Sequence, residues 1–112
     1  MTDSILPADL DQLLGSGAAV RVFDVRRESD RVQVEYPIPG AEWRDPERVA
    51  QWCGDIGNTE EVIVYCVHGH HVSQSTRDAL RRGGNRARII AGGIEAWCAY
   101  AKGNQRAIRQ TN

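Results

Sequence analysis

The chain has 112 residues, of which 41% are hydrophobic and 26% charged, the composition of an ordinary globular domain. A net charge of −1 gives no drive toward nucleic acid or an anionic membrane surface. No apolar run approaches the roughly 20 residues that a membrane-spanning helix needs. The first residues, Met1-Thr-Asp-Ser-Ile-Leu-Pro7, lack the basic and apolar regions of a signal peptide. The three cysteines, Cys53, Cys66 and Cys98, fit neither a disulfide framework nor a metal-ligand spacing, so a cytoplasmic, reduced protein is expected.

Residues 7–14 read as a first helix with apolar Leu10, Leu13 and Leu14, closed by Gly15-Ser-Gly17. Ala18 to Phe23 reads as a strand that delivers Asp24 at its C-terminal end. Arg26 to Tyr36 carries no clear period and is expected to be a loop with at most one helical turn. Pro37-Ile-Pro-Gly40 then punctuates the chain before a short extended piece at 41–44. Asp45 suits an N-cap and Pro46 an N1 proline, with Val49, Ala50 and Trp52 as the buried side of the helix that follows. Glu61 to Tyr65 is a nearly continuous apolar run, the pattern of a central strand covered on both faces. A helix is expected over 72–82, ended by Gly83-Gly84, then a strand at 86–90 and a last helix at 93–100. This alternation predicts an α/β fold with a mostly parallel sheet, one domain over 1–102 and a polar, frayed tail at 103–112. The arginines between Arg77 and Arg88 read as the solvated side of a helix and its exit loop rather than a polyanion site.

Between the 61–65 strand and the helix after it stands Cys66-Val-His-Gly-His-His71. A loop in this position lies at the carboxyl edge of a parallel sheet, where open α/β folds place their ligands. The helix that follows offers unpaired N–H groups and the positive end of its dipole, and a loop wound around that end makes an anion nest. Gly69 supplies a position without a Cβ where such winding needs one. A cysteine at the base of the nest is favoured as thiolate, the nucleophilic form, which makes a covalent sulfur or phosphorus intermediate feasible. The alternative is that Cys66 is a buried and inert core cysteine.

Four marks in order, Val22-Phe-Asp-Val-Arg26, Ile38-Pro-Gly-Ala41, Ile63-Val-Tyr-Cys66 and Ile90-Ala-Gly-Gly-Ile-Glu-Ala-Trp97, resemble the rhodanese family over nearly the whole chain. The resemblance implies a five-stranded parallel sheet flanked by helices on both faces and a persulfide on Cys66. It implies a sulfurtransferase that moves sulfane sulfur from a small donor such as thiosulfate to a thiol or cyanide acceptor, or to a protein sulfur acceptor, with no cofactor. Val67, His68, Gly69, His70, His71 and Val72 would bind the donor. Arg26, Arg27 and Arg31, in the segment facing the site in that family, are candidate anion contacts, and Asp24 is implied as a structural anchor. Trp43-Arg-Asp-Pro-Glu47, Tyr65-Cys-Val-His-Gly-His70 and Val72-Ser-Gln74 are similar to rhodanese domains found with bacterial chromate-resistance proteins.

The common family loop reads Cys-x-x-Gly-x-Arg-Ser, and this chain has His71 and Val72 in the arginine and serine positions. A guanidinium is always charged and forked, whereas an imidazole is neither, so a dianionic donor is expected to bind less tightly. Phosphatases of Cys-x5-Arg type share the architecture, but the residue six beyond the cysteine is Val72, with no guanidinium to clamp a phosphoryl group, so neither phosphatase nor arsenate-reductase activity is expected. A non-enzymatic binding or sulfur-relay module is a further alternative. Cys66, His68, His70 and His71 are legitimate metal ligands, but their spacing is too tight for a usual zinc site, and no metal is expected. Cys53 and Cys98, beside Trp52 and Trp97, are expected to be small buried hydrophobes.

Overall fold

The structure is a computed structural model that describes residues 3–31, 36–57, 59–68 and 71–104. Five parallel strands form one sheet: β1 (Ser4–Ile5), β2 (Val20–Asp24), β3 (Glu42–Trp43), β4 (Glu61–Tyr65) and β5 (Arg86–Ile90), in the spatial order β1-β5-β4-β2-β3. Among the described residues four helices accompany them: α1 (Pro7–Gly15), α2 (Val49–Trp52), α3 (His71–Arg82) and α4 (Gly93–Gly103). Short 3₁₀ turns occupy Glu28–Asp30, Pro46–Arg48 and Cys53–Asp55. Among the described residues, no helix is long and apolar enough to cross a membrane.

Strand periodicity divides the core in two. Val22 of β2, with Ile63 and Tyr65 of β4, packs with Leu10 of α1 and with Ile94, Trp97 and Ala101 of α4. Phe23 of β2, with Val62 and Val64 of β4, packs on the other side with Trp52 of α2 and Leu80 of α3. Both faces of β4 are therefore covered, which explains why its sequence is apolar without alternation.

The expected strands at 61–65 and 86–90 and the start of α1 are found as read. The first strand begins two residues later than expected, at Val20, and includes Asp24. The fifth strand, β1, is only Ser4–Ile5, too short to show any period, and it pairs with Ile89 and Ile90 at the sheet edge. The arginine cluster helps to hold this edge. Arg81 Nη1 donates to the Asp3 carboxylate at 2.7 Å, and Arg77 Nη1 reaches the Asp3 carbonyl at 3.4 Å. Asp45 does cap its helix, accepting from the Glu47 N–H at 2.9 Å. That helix, however, is broken into a 3₁₀ turn, the single turn of α2 and a second 3₁₀ turn, and Ala50 is exposed rather than buried. Trp52 swings inward because its Nε1–H donates to the Asp45 carbonyl at 2.9 Å while its ring meets Phe23 at a centroid distance of 5.2 Å. Cys53 and Cys98 are half-buried. α4 continues through Gly103, and residues 105–112 of the expected tail lie outside the described residues.

The turn from β5 into α4 has a specific backbone demand. Gly92 caps α4 with φ +80°, and a Cβ built there would stand 2.6 Å from the Ala96 Cβ. Gly92→Ala is expected to cost about 1–3 kcal/mol in urea unfolding, from the left-handed backbone and the clash together. An unchanged midpoint would mean that the first turn of α4 can shift to make room.

Candidate active site

The C-terminal ends of β2 and β4 are locked together before the chain leaves the sheet. Val25 N–H donates to the Tyr65 carbonyl at 2.9 Å, and Arg44 N–H donates to the Asp24 carbonyl at 2.9 Å. One residue beyond Tyr65, the chain meets α4. The Ile94 N–H donates to the Cys66 carbonyl at 2.9 Å and the Glu95 N–H to the Val67 carbonyl at 3.3 Å. These bonds satisfy two of the orphan donors at the start of α4 and pin the loop from below. Since side chains alternate, Tyr65 enters the α1/α4 side of the core and Cys66 points to the α3 side.

There the Cys66 thiol, in a residue 7% exposed, donates to Ser73 Oγ at 3.1 Å. Cys66 forms part of the wall of a cavity of about 220 Å³, together with Arg26, Arg27, Asp30, Val67, His68, His71 and Val72. A second cavity of about 230 Å³ adjoins it and shares Arg27, His71 and Val72. His71 opens α3, and its side chain belongs to both walls. His68 Nδ1 lies 3.0 Å from Glu95 Oε2, an exposed pair that orients the ring more than it stabilises the fold.

The structure sorts the candidate residues. Cys66, Val67, His68, His71 and Val72 come together around one cavity with Arg26 and Arg27. Gly69 and His70 lie outside the described residues. Arg31 sits elsewhere, with its guanidinium carbon 4.6 Å from the centre of the Trp43 ring, a cation–π contact. Arg26 lines the cavity, but Asp24 holds its guanidinium. Nε donates to Oδ1 at 2.9 Å and Nη2 to Oδ2 at 2.7 Å, and Oδ1 also accepts the Arg26 N–H at 3.0 Å. Those hydrogen bonds push the Arg26 guanidinium above its ordinary pKa, overcoming burial, which acts the other way. Trp43 Nε1–H donates to the Arg26 carbonyl at 2.9 Å and closes the cluster. Ser73 is the hydroxyl residue at this loop, since the family's serine position falls on Val72 in this chain. A cysteine and a hydroxyl residue seven apart across a loop into a helix was the available signal.

Among the described residues, no group of three or more His, Cys, Asp or Glu side chains converges as a metal site would require. Cys66 faces Ser73 while His68 faces Glu95.

The profile of the rhodanese-like domain matches residues 6–100. The chain belongs to the rhodanese-like domain family. Solved structures carry the same fold. A rhodanese-like domain protein from Staphylococcus aureus is 23% identical, with 86% of this chain and 91% of that one covered at a TM-score of 0.72. A thiosulfate sulfurtransferase from Pseudomonas aeruginosa is 24% identical at the same TM-score of 0.72, over 90% of this chain but 19% of that larger one. A Rhodopseudomonas palustris protein of unknown function, described as a possible tyrosine phosphatase, is 21% identical, with 88% and 81% covered at a TM-score of 0.70. Among curated proteins no relative matches.

Within this rhodanese-like domain, Asp24 and Arg26 are 6% and 8% exposed, so breaking their pair leaves a charge uncompensated in the interior. Asp24→Asn, which keeps the shape and removes the charge, is expected to cost about 3–5 kcal/mol in denaturant unfolding. A loss below about 1 kcal/mol would place the pair in effective contact with water.

Proposed function

We propose that this rhodanese-like domain is a sulfurtransferase that carries sulfane sulfur as a persulfide on Cys66. The observation that carries the reading is the placement of Cys66 in the wall of a small cavity whose charged and imidazole side chains are Arg26, Arg27, His68 and His71 against the single carboxylate of Asp30. A cavity of about 220 Å³ accepts a small anion, and with Arg26 bound to Asp24, Arg27 and the two imidazoles outnumber the Asp30 carboxylate, which suits an anionic donor such as thiosulfate. The Cys66 sulfur lies against Ser73 in the first turn of the 12-residue α3. The resemblance to a thiosulfate sulfurtransferase fold is consistent with this chemistry.

In the first half-reaction the Cys66 thiolate attacks the sulfane sulfur, and the S–S bond of thiosulfate breaks toward sulfite. In the second, cyanide, a small thiol or a protein thiol takes the outer sulfur and returns Cys66 as thiolate. Arg27 and His71 belong to the walls of both cavities and would meet the charged part of the donor. Asp24 and Arg26 act as scaffold, holding the 26–27 segment against the loop. All three cysteines are free thiols, as a reducing cytoplasmic location would keep them. Val72, rather than a guanidinium, stands where a phosphatase would clamp its phosphoryl oxygens, which argues against phosphoryl transfer.

Incubation with thiosulfate should add one sulfur, about 32 Da, to Cys66 and not to Cys53 or Cys98, as read by peptide mass spectrometry. Cys66→Ser should abolish thiocyanate formation, and aryl-phosphate hydrolysis should be negligible throughout. Labelling confined to Cys53 or Cys98, or phosphate release that disappears in Cys66→Ser, would overturn the proposal.

The histidine at the head of α3 provides a separate expectation. His71→Arg should lower the KM for thiosulfate by roughly 3- to 10-fold at pH 8 and flatten its pH dependence, because a guanidinium stays charged throughout. An arginine variant with unchanged KM would assign anion binding to backbone N–H groups and Arg27 instead.

A further inference from the structure

Sulfur transfer through one cysteine receives a donor and an acceptor in turn, and two cavities adjoin at this site. The first, about 220 Å³, has Cys66 in its wall. The second, about 230 Å³, lacks Cys66 but shares Arg27, His71 and Val72 with the first. The rest of its wall comes from Pro46, Glu47 and Val49, and from Ser75 and Thr76 of α3. The Thr76 hydroxyl donates to the Val72 carbonyl at 2.9 Å, so the charged and imidazole groups of this wall are Arg27, His71 and Glu47. Glu47 is carried on a fixed turn. Its N–H donates to Asp45 Oδ1 at 2.9 Å, and the Asp45 carbonyl accepts from the Arg48 N–H at 3.0 Å and from Nε1–H of the buried Trp52 at 2.9 Å. The acids around it are engaged, Asp45 at 3.5 Å from Arg48 Nε and Glu42 at 2.6 Å from Arg44 Nη2. Among the described residues no ion pair engages the Glu47 carboxylate, and none engages Arg27.

We propose that the second cavity is the acceptor site and takes a small zwitterionic thiol, an amino acid of the cysteine type, with Arg27 on its carboxylate and Glu47 on its ammonium. The inference rests on the sulfurtransferase reading of Cys66. An acid in the wall repels an anionic donor, so this cavity does not duplicate the first. A guanidinium and a carboxylate in one wall are both satisfied by a ligand that carries the two opposite charges. The volume, below the roughly 300–1,000 Å³ of pockets for drug-sized ligands, suits a molecule of amino-acid size.

Arg27 serves both substrates because they come in turn, sulfite leaving before the acceptor enters. In discharge the acceptor thiolate R–S⁻ attacks the outer sulfur of Cys66–S–SH. A new S–S bond forms, the inner one breaks with its electron pair returning to Cys66 Sγ, and R–S–SH departs with the persulfide proton. No further oxidant or reductant enters. The thiolate must reach the outer sulfur from the cavity side, since the Cys66 Sγ occupies the opposite side of that atom. A seat in the adjoining cavity holds the acceptor within reach of it, whereas cyanide, with no second functional group, has nothing for Glu47 to grip.

The test uses the full chain as wild type, Glu47→Gln and Glu47→Lys, loaded with thiosulfate and freed of donor. Glu47 is exposed, so both variants should fold, which thermal unfolding checks. Loss of the added sulfur is timed against four thiols: L-cysteine, cysteamine with the ammonium alone, 3-mercaptopropionate with the carboxylate alone, and 2-mercaptoethanol with neither. Rates are plotted against thiolate concentration, so that thiol acidity does not set the order. The half-saturating concentration should be lowest for L-cysteine. Glu47→Gln should raise it by roughly 3- to 5-fold, the scale of one partly exposed charge contact, and only for the two thiols that carry an ammonium. Glu47→Lys should raise it further for cysteamine and lower it for 3-mercaptopropionate. Equal effects on all four thiols, or L-cysteine no better than 2-mercaptoethanol, overturn the acceptor site and leave the sulfurtransferase reading standing. A wild-type protein that takes no sulfur overturns that reading and the acceptor role with it. Titration with unreactive S-methyl-L-cysteine, followed by calorimetry in wild type and Glu47→Gln, then decides separately whether the cavity holds an amino acid.

Discussion

The geometry of the site depends on how the chain leaves the central strand. At that point the Tyr65 carbonyl accepts from Val25 and the Cys66 carbonyl from Ile94, so consecutive peptide groups are held from β2 on one side and α4 on the other. With the backbone held, side-chain alternation decides the rest: Tyr65 goes into one core and the sulfur of Cys66 goes to the opposite face, against Ser73. A register slip of one residue in β4 would exchange the two and bury the thiol beneath α4. Gly92 belongs to the same constraint, because the left-handed cap it provides is how the chain turns from β5 to present the Ile94 N–H.

Around this junction the arginines have different work. Arg26 is bound to Asp24, Arg31 lies over Trp43, and Arg77 and Arg81 hold Asp3 at the sheet edge. Arg27, next to the buried pair, lines both cavities, and among the described residues no ion pair engages it. The buried Asp24–Arg26 pair is best understood through geometry. A buried ion pair adds little net stability over an apolar replacement, but this one orders the backbone that carries Arg27 to the cavity wall.

Much of the fold was legible because its signals are local. The apolar run of β4, the Gly83-Gly84 stop after α3 and the Asp45 cap each follow from backbone chemistry within a few residues. What escaped notice had no local signal. β1 is two residues long and is defined by pairing with a strand more than 80 positions away, as Ser4 opposite Ile89 shows. The 46–55 segment has a helical apolar pattern, yet it breaks into turns because Trp52 is drawn toward Phe23 and tied to the Asp45 carbonyl, leaving Ala50 outside. Tertiary packing there overrode propensity.

The sequence alone determined the parallel α/β architecture and the location of a cysteine at the carboxyl edge of its central strand, since periodicity and turn residues are written into neighbouring positions. It also placed three histidines, His68, His70 and His71, close after that cysteine and a valine where a phosphatase needs arginine. It could not decide which cations face the thiol, because Arg26, Arg27 and Arg31 are nearly adjacent in the chain and look alike there. Asp24 and Trp43, brought in by β2 and β3, separate them in space. Nor could it show that the hydroxyl of Ser73 meets the sulfur of Cys66. That contact exists because α3 packs back onto the sheet face toward which the end of β4 directs Cys66.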